Sequence, residues 1–595
     1  MPDPLNALFT TNVPAPLAMA FASVDLNDRD ILFKAGDDGD ALYVIDSGTV
    51  RIEYDGGEVD TDTVLARLGA GELLGELALL DGGKRSASAV AEGAVQLRRL
   101  DRAAMAALAN DDPQVAIAVW HALGAVAASR LRDVNTRLAA SGGCGKDPVV
   151  ERMVAEARAA QRVLAAAPDD RVEELLLALA TTFAAHAGEL AELSVRVTGI
   201  GDEAHKTRKN LFASMMVHQS MLGKPGCGIL GDAEDGVIPV ASAAGVIFGL
   251  VPVTNPAATA IFKSLICLKS RNALILSFAR RASEVGERFG QILAGVLADG
   301  GWPPGVVQVV ARENSRRRTE VFFQHPGVDL ILATGGPSMV KAAYSSGRPA
   351  LGVGAGNAPC LVCADADVEA AATMVVESKS FDHGLICGSE HHLLVEECVA
   401  DGFAAALEAN GAAVLTAAEA ARFRQSILTP GDATIRRKFI GRPAAEIAAA
   451  AGIIRSHPIL LVVVAAGADD VLAANALARE KMAPVLSLYH VADTPAGIAL
   501  AQQLLAIEGS GHTAAIHTGA KPSALAYAEA MPASRILVNS PATQGVIGLT
   551  TGLPPSLTLG CGYFGGNSTN DNVTFTHLRN VKHLAFARTG TADSG

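Results

Sequence analysis

The chain has 595 residues, half of them apolar, only 4% aromatic, and a formal net charge of -13. That length exceeds what one hydrophobic core supports, so several domains are expected. The acidic balance argues against a nucleic-acid partner, whose phosphates demand clustered Lys and Arg. The longest apolar stretches, 241–253 and 459–466, fall short of the roughly 18 to 20 residues that span a bilayer. The opening MPDPLNALFTTN has no charged region ahead of an apolar core, so a cytoplasmic protein without a membrane partner is expected.

Residues 29 to 100 alternate short β patterns with glycine turns, as in ILFKAGDDGDALYVIDSGTVRIEY and TVLARLGAGELLGELALL, which predicts a small β-barrel or roll. From Ala103 to Leu138 the pattern becomes helical, with Val115, Val119, Leu123, Ala127 and Leu131 along one face,. The run ASGGCGKDP, 140–148, reads as a linker,. Residues 149 to 222 read as almost continuously helical. Beyond Val237, β runs alternate with helices as far as Val538, the pattern of a parallel sheet covered on both faces,. The eight cysteines are too sparse for a disulfide framework,. Cys360 and Cys363 form the only CxxC, in a strand-like run with no second pair or His cluster at metal spacing, so a structural role and no metal are expected,.

Within the β region, GELLGELALLDGGKRSASAV places a short helix opening at Gly75, Glu76 and Leu77 ahead of Arg85 and Ser86. Free backbone N–H groups at a helix start and a forked guanidinium suit a phosphate, Glu76 suits a ribose hydroxyl, and Ser86 can add a hydroxyl contact. Together with FKAGDDGDALYVIDSGTV, this segment resembles the phosphate-binding cassette of the cyclic-nucleotide-binding domain family. The resemblance implies a β-roll with closing helices and a cyclic nucleotide, cAMP foremost, as regulatory ligand. A structural Glu76–Arg85 ion pair in a roll that has lost its ligand is the alternative.

The run SKSFDHGLICGSEHHLLV, 378–395, holds Cys387 in a polar, glycine-flanked loop that suits a reactive thiolate,. It resembles the nucleophile segment of the acylating aldehyde dehydrogenases, including the corresponding half of bifunctional aldehyde/alcohol dehydrogenases. GLVPVTNPAATAIFKSL then places Asn255 where that family keeps its oxyanion-holding amide. In LILATGGPSMVKAAYSSGRPALGVGAG a strand ends at Thr334, Gly335 and Gly336 let the backbone approach a pyrophosphate, and Pro337 suits the first turn of a helix,. ALAREKMAPVLSLYHV puts Glu480 where the family keeps a carboxylate on the nicotinamide ribose. SFARRA replaces the family's usual SPHPRA, so Ser277 and Arg280 are expected on the cofactor side and NAD against NADP stays open. His383 and His512 are expected to be structural, hydrogen-bonding or substrate-lining residues.

Hydrolytic relatives carry a glutamate that activates water; here LGVGAGNAP has Val353 at that place. Without that base a thiol is the expected acyl acceptor, and in the resembled family that thiol is coenzyme A. The resemblance implies a multidomain chain: the cyclic-nucleotide-binding domain over 1–139, the linker 140–148, and a Rossmann-like cofactor-binding domain over 149–350. An α/β catalytic domain over 351–545 follows, then a C-terminal return and oligomerisation segment over 546–595. The implied reaction converts a short-chain aldehyde, NAD(P) and CoA reversibly to acyl-CoA and NAD(P)H in a homo-oligomer. Sulfoacetaldehyde or succinate semialdehyde as substrate, a hydrolytic dehydrogenase and an inactive nucleotide-sensing scaffold are the alternatives.

Overall fold

The computed structural model describes residues 7–10, 13–54, 63–141, 147–231 and 236–587, and the chain divides into two units, Met1–Gly145 and Lys146–Gly595. In the first, β1 (Ala22–Leu26), β2 (Ile31–Phe33), β3 (Ala41–Tyr54), β4 (Thr63–Leu68), β5 (Leu73–Leu74) and β6 (Ser88–Asp101) form one antiparallel sheet. Its order is β1-β6-β3-β4, with β2 on β6 and β5 on β3. The period-2 rule sorts β3 into two faces. Leu42 and Val44 pack with Met105, Leu108, Val119 and Leu123 of the helices Arg102–Asp111 and Pro113–Ser141. Ala41, Tyr43 and Ile45 join Val50, Leu74, Ala89 and Leu97 in the opposite cluster. Of the expected helical stripe, Val119 and Leu123 are buried and Val115 and Ala127 half-buried, while the Leu131 side chain lies outside the described residues.

The second helix runs to Ser141, two residues into the stretch read as linker, because Ala139 and Ala140 extend a helix readily before the glycines,. Residues 142–146 of that stretch lie outside the described ones. Description resumes at Asp147, whose carboxylate caps the helix Pro148–Ala166 at Val149 N and receives Arg318 at 2.8 Å.

In the second unit, β7 (Gly228–Ile229) and β8 (Val237–Ala243) precede a five-stranded parallel sheet. That sheet comprises β9 (Val246–Val251), β10 (Ala273–Phe278), β11 (Val307–Val310), β12 (Leu330–Ala333) and β13 (Ala350–Gly352), in the order β11-β10-β9-β12-β13. The chain steps outward from β9 to β11, then returns to the other side of β9, so the strand order reverses there. Such a switch point opens a crevice at the carboxyl ends of the strands. A seven-stranded parallel sheet follows, built from β14 (Ala358–Val362), β15 (Glu390–Glu396), β16 (Ala412–Val414), β17 (Leu461–Ala465), β18 (Val485–Val491), β19 (Gly511–His517) and β20 (Ala533–Val538). Its order is β16-β17-β18-β15-β14-β19-β20. Finally β21 (Arg579–Ala585) returns to pair antiparallel with all seven residues of β8. The central strands β9, β10, β14 and β15 are buried at every residue, as both-sided cover requires,. Among the described residues no helix is long and apolar enough to cross a membrane.

Candidate active site

Cys387 lies in the turn between the short 3-10 segment Phe381–Gly384 and β15, closed by a bond from Ser389 N to the Ile386 carbonyl at 3.0 Å. Two glycines let this turn fit. A Cβ on Gly388 would meet the side chain of Val546 at 2.7 Å, and one on Gly356 would sit 2.6 Å from the Cys387 carbonyl carbon. The thiol does not favour its anion: burial above all, then Glu480 and Cys561, push it up to about 12, with Arg535 opposing. The polar, glycine-flanked loop suits a thiolate by composition; in the fold Cys387 is half-buried among buried neighbours, and that burial works against the anion,.

Glu480 accepts a bond from the Gly356 N–H, while its own N–H donates to Glu508 Oε2 at 3.1 Å. Burial and then Glu508 push its carboxyl up to about 8, against the pull of Lys379. Lys379 is fully buried, bonded to Ser389 Oγ at 3.1 Å and His391 Nδ1 at 3.2 Å, and burial pushes it down to about 7. Val353 is buried in the main apolar cluster, its N–H on the Ala333 carbonyl at 3.2 Å.

Asn255 caps the helix Pro256–Lys269, whose residues are all buried. The Asn255 Oδ1 accepts from Lys209 Nζ, which also donates to Asp382 Oδ2. Lys206 Nζ donates to the same carboxylate oxygen at 3.1 Å and to the Thr254 carbonyl at 2.7 Å. Asp382 is fully buried, accepts from Asp202 N at 2.8 Å, and is held below the usual carboxylate range by the two lysines despite its burial. Burial pushes Lys209 down to about 8. Sequence reasoning did not single out Lys206, Lys209 or Asp382. Two lysines three residues apart in KTRKN were the available signal, since such a pair shares one helix face,.

At the carboxyl ends of β10 and β12, the two strands flanking β9, the buried hydroxyl oxygens of Ser277 and Thr334 have no hydrogen-bond partner among the described residues. Gly335 and Gly336 beyond Thr334 are exposed. Arg280 is exposed, in the short helix Arg280–Ala282. The two buried hydroxyls, the exposed glycine backbone and the exposed Arg280 near a switch-point crevice fit a dinucleotide,. His512 is buried, with Nδ1 on Thr513 Oγ1 at 2.8 Å and Nε2 unpartnered, and burial pushes it down to about 3. His383 is half-buried in the left-handed region at φ 54. Among the described residues no group of three His, Cys, Asp or Glu could hold a metal ion.

In the N-terminal unit, Gly75 has φ +80 and a Cβ there would press on the Arg85 guanidinium and lie 3.1 Å from the Ala41 carbonyl. Arg85 is buried, donating to the Gly75 carbonyl at 3.0 Å and the Ala41 carbonyl at 2.7 Å, and stacks 4.3 Å from the Phe33 ring centroid. Its Nε is buried without a partner. Burial lowers the guanidinium's proton affinity, opposed by Tyr43, Asp40, Asp37 and Glu76. Glu76 is buried at the start of the helix Glu76–Asp81, while Leu77 and Ser86 are exposed.

The model of the aldehyde dehydrogenase family matches residues 135–425, and that of the cyclic nucleotide-binding domain matches residues 23–112. The chain is 37% identical over 440 residues to the bifunctional aldehyde-alcohol dehydrogenase AdhE of Escherichia coli (strain K12), covering 73% of this chain and 49% of that protein. It thus spans about half the length of the bifunctional relatives it matches. It is 34% identical to the sulfoacetaldehyde dehydrogenase (acylating) of Cupriavidus necator, over 73% of this chain and 88% of that one. Among solved structures, an acetylating aldehyde dehydrogenase from Geobacillus thermoglucosidasius matches with 37% identity and a TM-score of 0.71, over 75% of this chain and 98% of the other.

Proposed function

The chain belongs to the aldehyde dehydrogenase family and carries a cyclic-nucleotide-binding domain at its N-terminal side; on that premise we propose that it is a cytoplasmic, CoA-acylating aldehyde dehydrogenase tuned by a cyclic nucleotide. Cys387 adds to the carbonyl of a short aldehyde, and Asn255 with the Cys387 N–H holds the oxyanion. When bound, the nicotinamide cofactor takes the hydride. Thr334, Gly335, Gly336, Ser277 and Arg280 would hold that cofactor, and Glu480 would hold its ribose. CoA then attacks the thioacyl enzyme, and one thioester replaces another, so the reaction runs in either direction. The acetylating aldehyde dehydrogenase among the matched structures favours acetaldehyde, with sulfoacetaldehyde as the next candidate.

The observation that carries the acylating reading is Val353, a buried aliphatic side chain at the position where the pattern of the hydrolytic dehydrogenases has its glutamate,. Glu480 supports a second, hydrolytic reading, because its carboxyl lies in the electrostatic field of Cys387 and is pushed up to about 8, where it can act as a base at neutral pH,. The N-terminal module supports nucleotide control through Arg85, which lies in a cassette of the right composition and whose buried Nε has no hydrogen-bond partner among the described residues. Control of about 1 to 3 kcal/mol is usual for such coupling.

NADH formation from acetaldehyde, with and without CoA and with and without cyclic AMP, tests the proposal. Strict dependence on CoA and complete loss in Cys387→Ala are expected. NADH formed without CoA replaces the acylating reading with the hydrolytic one, and an unaltered rate in Cys387→Ala refutes both.

A further inference from the structure

Asn255, as an amide, has two faces that differ in chemistry: the oxygen only accepts and the nitrogen only donates. An amide that is to hold an oxyanion must present its nitrogen, and a free side chain at a helix N-cap has no reason to prefer that face. Lys209 Nζ, with three donors and no acceptor, sits on the Asn255 oxygen,. Turning the amide over would set donor against donor inside a buried cluster and leave the bond unmade. The Nδ2 group keeps a single long contact, 3.4 Å to Thr254 Oγ1, and so stays available.

We infer that Lys209 is a positioning residue, which orients the Asn255 amide for the oxyanion and, through Asp382, registers it against the nucleophile turn. The inference rests on the reading of Asn255 as an oxyanion donor. Lys206 and Lys209 stand three residues apart on one face of the helix Glu203–Leu211,. Lys206 grips the main chain at Thr254 while Lys209 grips the side chain of the next residue. Both meet at Asp382 Oδ2, five residues before Cys387. Asp382 and His383 hold φ of 47 and 54, an arrangement that non-glycine residues adopt only when their surroundings enforce it,. A Cβ on Gly201 would lie against Lys206 and Asp382, so the cluster is closely covered on that side as well. The oxyanion donor and the nucleophile, carried by separate segments, thus share one buried ionic anchor.

The test is a double-mutant cycle on the full chain, with kcat and KM for acetaldehyde, KM for NAD, and the rate of Cys387 alkylation by iodoacetamide as readouts. Lys209→Met is expected to lower kcat about 10- to 100-fold, somewhat less than the loss from deleting an oxyanion donor. KM for NAD and the alkylation rate are expected within about twofold of the parent, and in an Asn255→Ala background the same change should cost less than about twofold more. Lys209→Arg, which keeps donors for both partners, is expected to restore kcat to within about fivefold. Should Lys209→Met fail to fold, Lys209→Gln replaces it in the cycle, with a loss of about three- to tenfold that again vanishes beside Asn255→Ala. A full additional loss in the Asn255→Ala background, or a matching fall in alkylation rate, overturns the inference by showing that the lysine acts elsewhere. Unchanged kcat in Asn255→Ala alone overturns the oxyanion reading beneath it.

Discussion

Gly356→Ala probes how the nucleophile turn is seated. Its backbone is not in the left-handed region, so alanine brings no conformational strain, and the effect isolates the added methyl,. That methyl would fall 2.6 Å from the Cys387 carbonyl carbon and 3.2 Å from its Cα, and closer still to the carbonyl oxygen. Carbon atoms sit about 3.5 to 4.0 Å apart at best, so one of the two main-chain segments must move by about 1 Å. A misplacement of that size at a reacting centre costs on the order of 100-fold in rate, equivalent to about 2.7 kcal/mol of barrier. Gly354→Ala is the internal control, because its methyl would meet only the Cys561 sulfur at 3.4 Å, an ordinary contact. Steady-state kcat/KM for CoA-dependent NADH formation, beside thermal unfolding of both variants, measures the difference. Equal activity in the two variants would refute the seating argument.

Alkylation of Cys387 in the enzyme without cofactor is expected to rise about tenfold per pH unit through pH 9, because its thiol is pushed up to about 12,. Glu480→Gln removes one of the groups that raises that thiol, so inactivation by iodoacetamide at pH 9, where the Glu480 carboxyl is ionised, should be faster in the variant; a slower rate contradicts the electrostatics. Lys263 is fully buried on the Leu250 and Leu332 carbonyls and is pushed down to about 7. Its folded value lies below the unfolded one, so its unfavourable contribution is absent above about pH 10.4 and complete below pH 7. Removing the charge in Lys263→Met should therefore raise stability more at pH 6 than at pH 9, as read by urea unfolding. Arg280→Ala is expected to lower the preference for NADP over NAD several-fold, in a comparison of kcat/KM for the two cofactors. Arg85→Ala should abolish any response to cyclic AMP and lower the melting temperature, because it strips buried donors from the Gly75 and Ala41 carbonyls,.

Elements with a local signature were legible in the sequence. The β-roll, its closing helices, the strand end at Thr334 and the loop bearing Cys387 all announce themselves locally, through period-2 or helical patterning and glycine placement. The anchor at Asp382 was not legible, because Lys206 and Asp382 meet across 176 positions and neither residue type marks the other. The state of Cys387 was also out of reach. A loop's composition suggests solvent, whereas burial beside Glu480 and Cys561 depends on segments far along the chain. Similarly, Arg85 was read as a phosphate ligand from its cassette, but that two of its nitrogens rest on backbone carbonyls emerges only from the closure of the roll.

The pairing of β21 with β8 joins segments some 340 positions apart. At synthesis rates of about 5 to 20 residues per second, β8 emerges roughly 20 to 70 s before its partner exists. Through that interval β7 pairs two residues on the opposite edge of β8, and the edge that β21 will take stays open along all seven residues. An open edge of that kind accepts any complementary strand, and on a shared messenger the nearest is the β21 of a neighbouring, further-elongated nascent chain. Slow translation between the two strands therefore favours exchange of β21 between molecules, and overexpression at low temperature should increase the share of strand-swapped species.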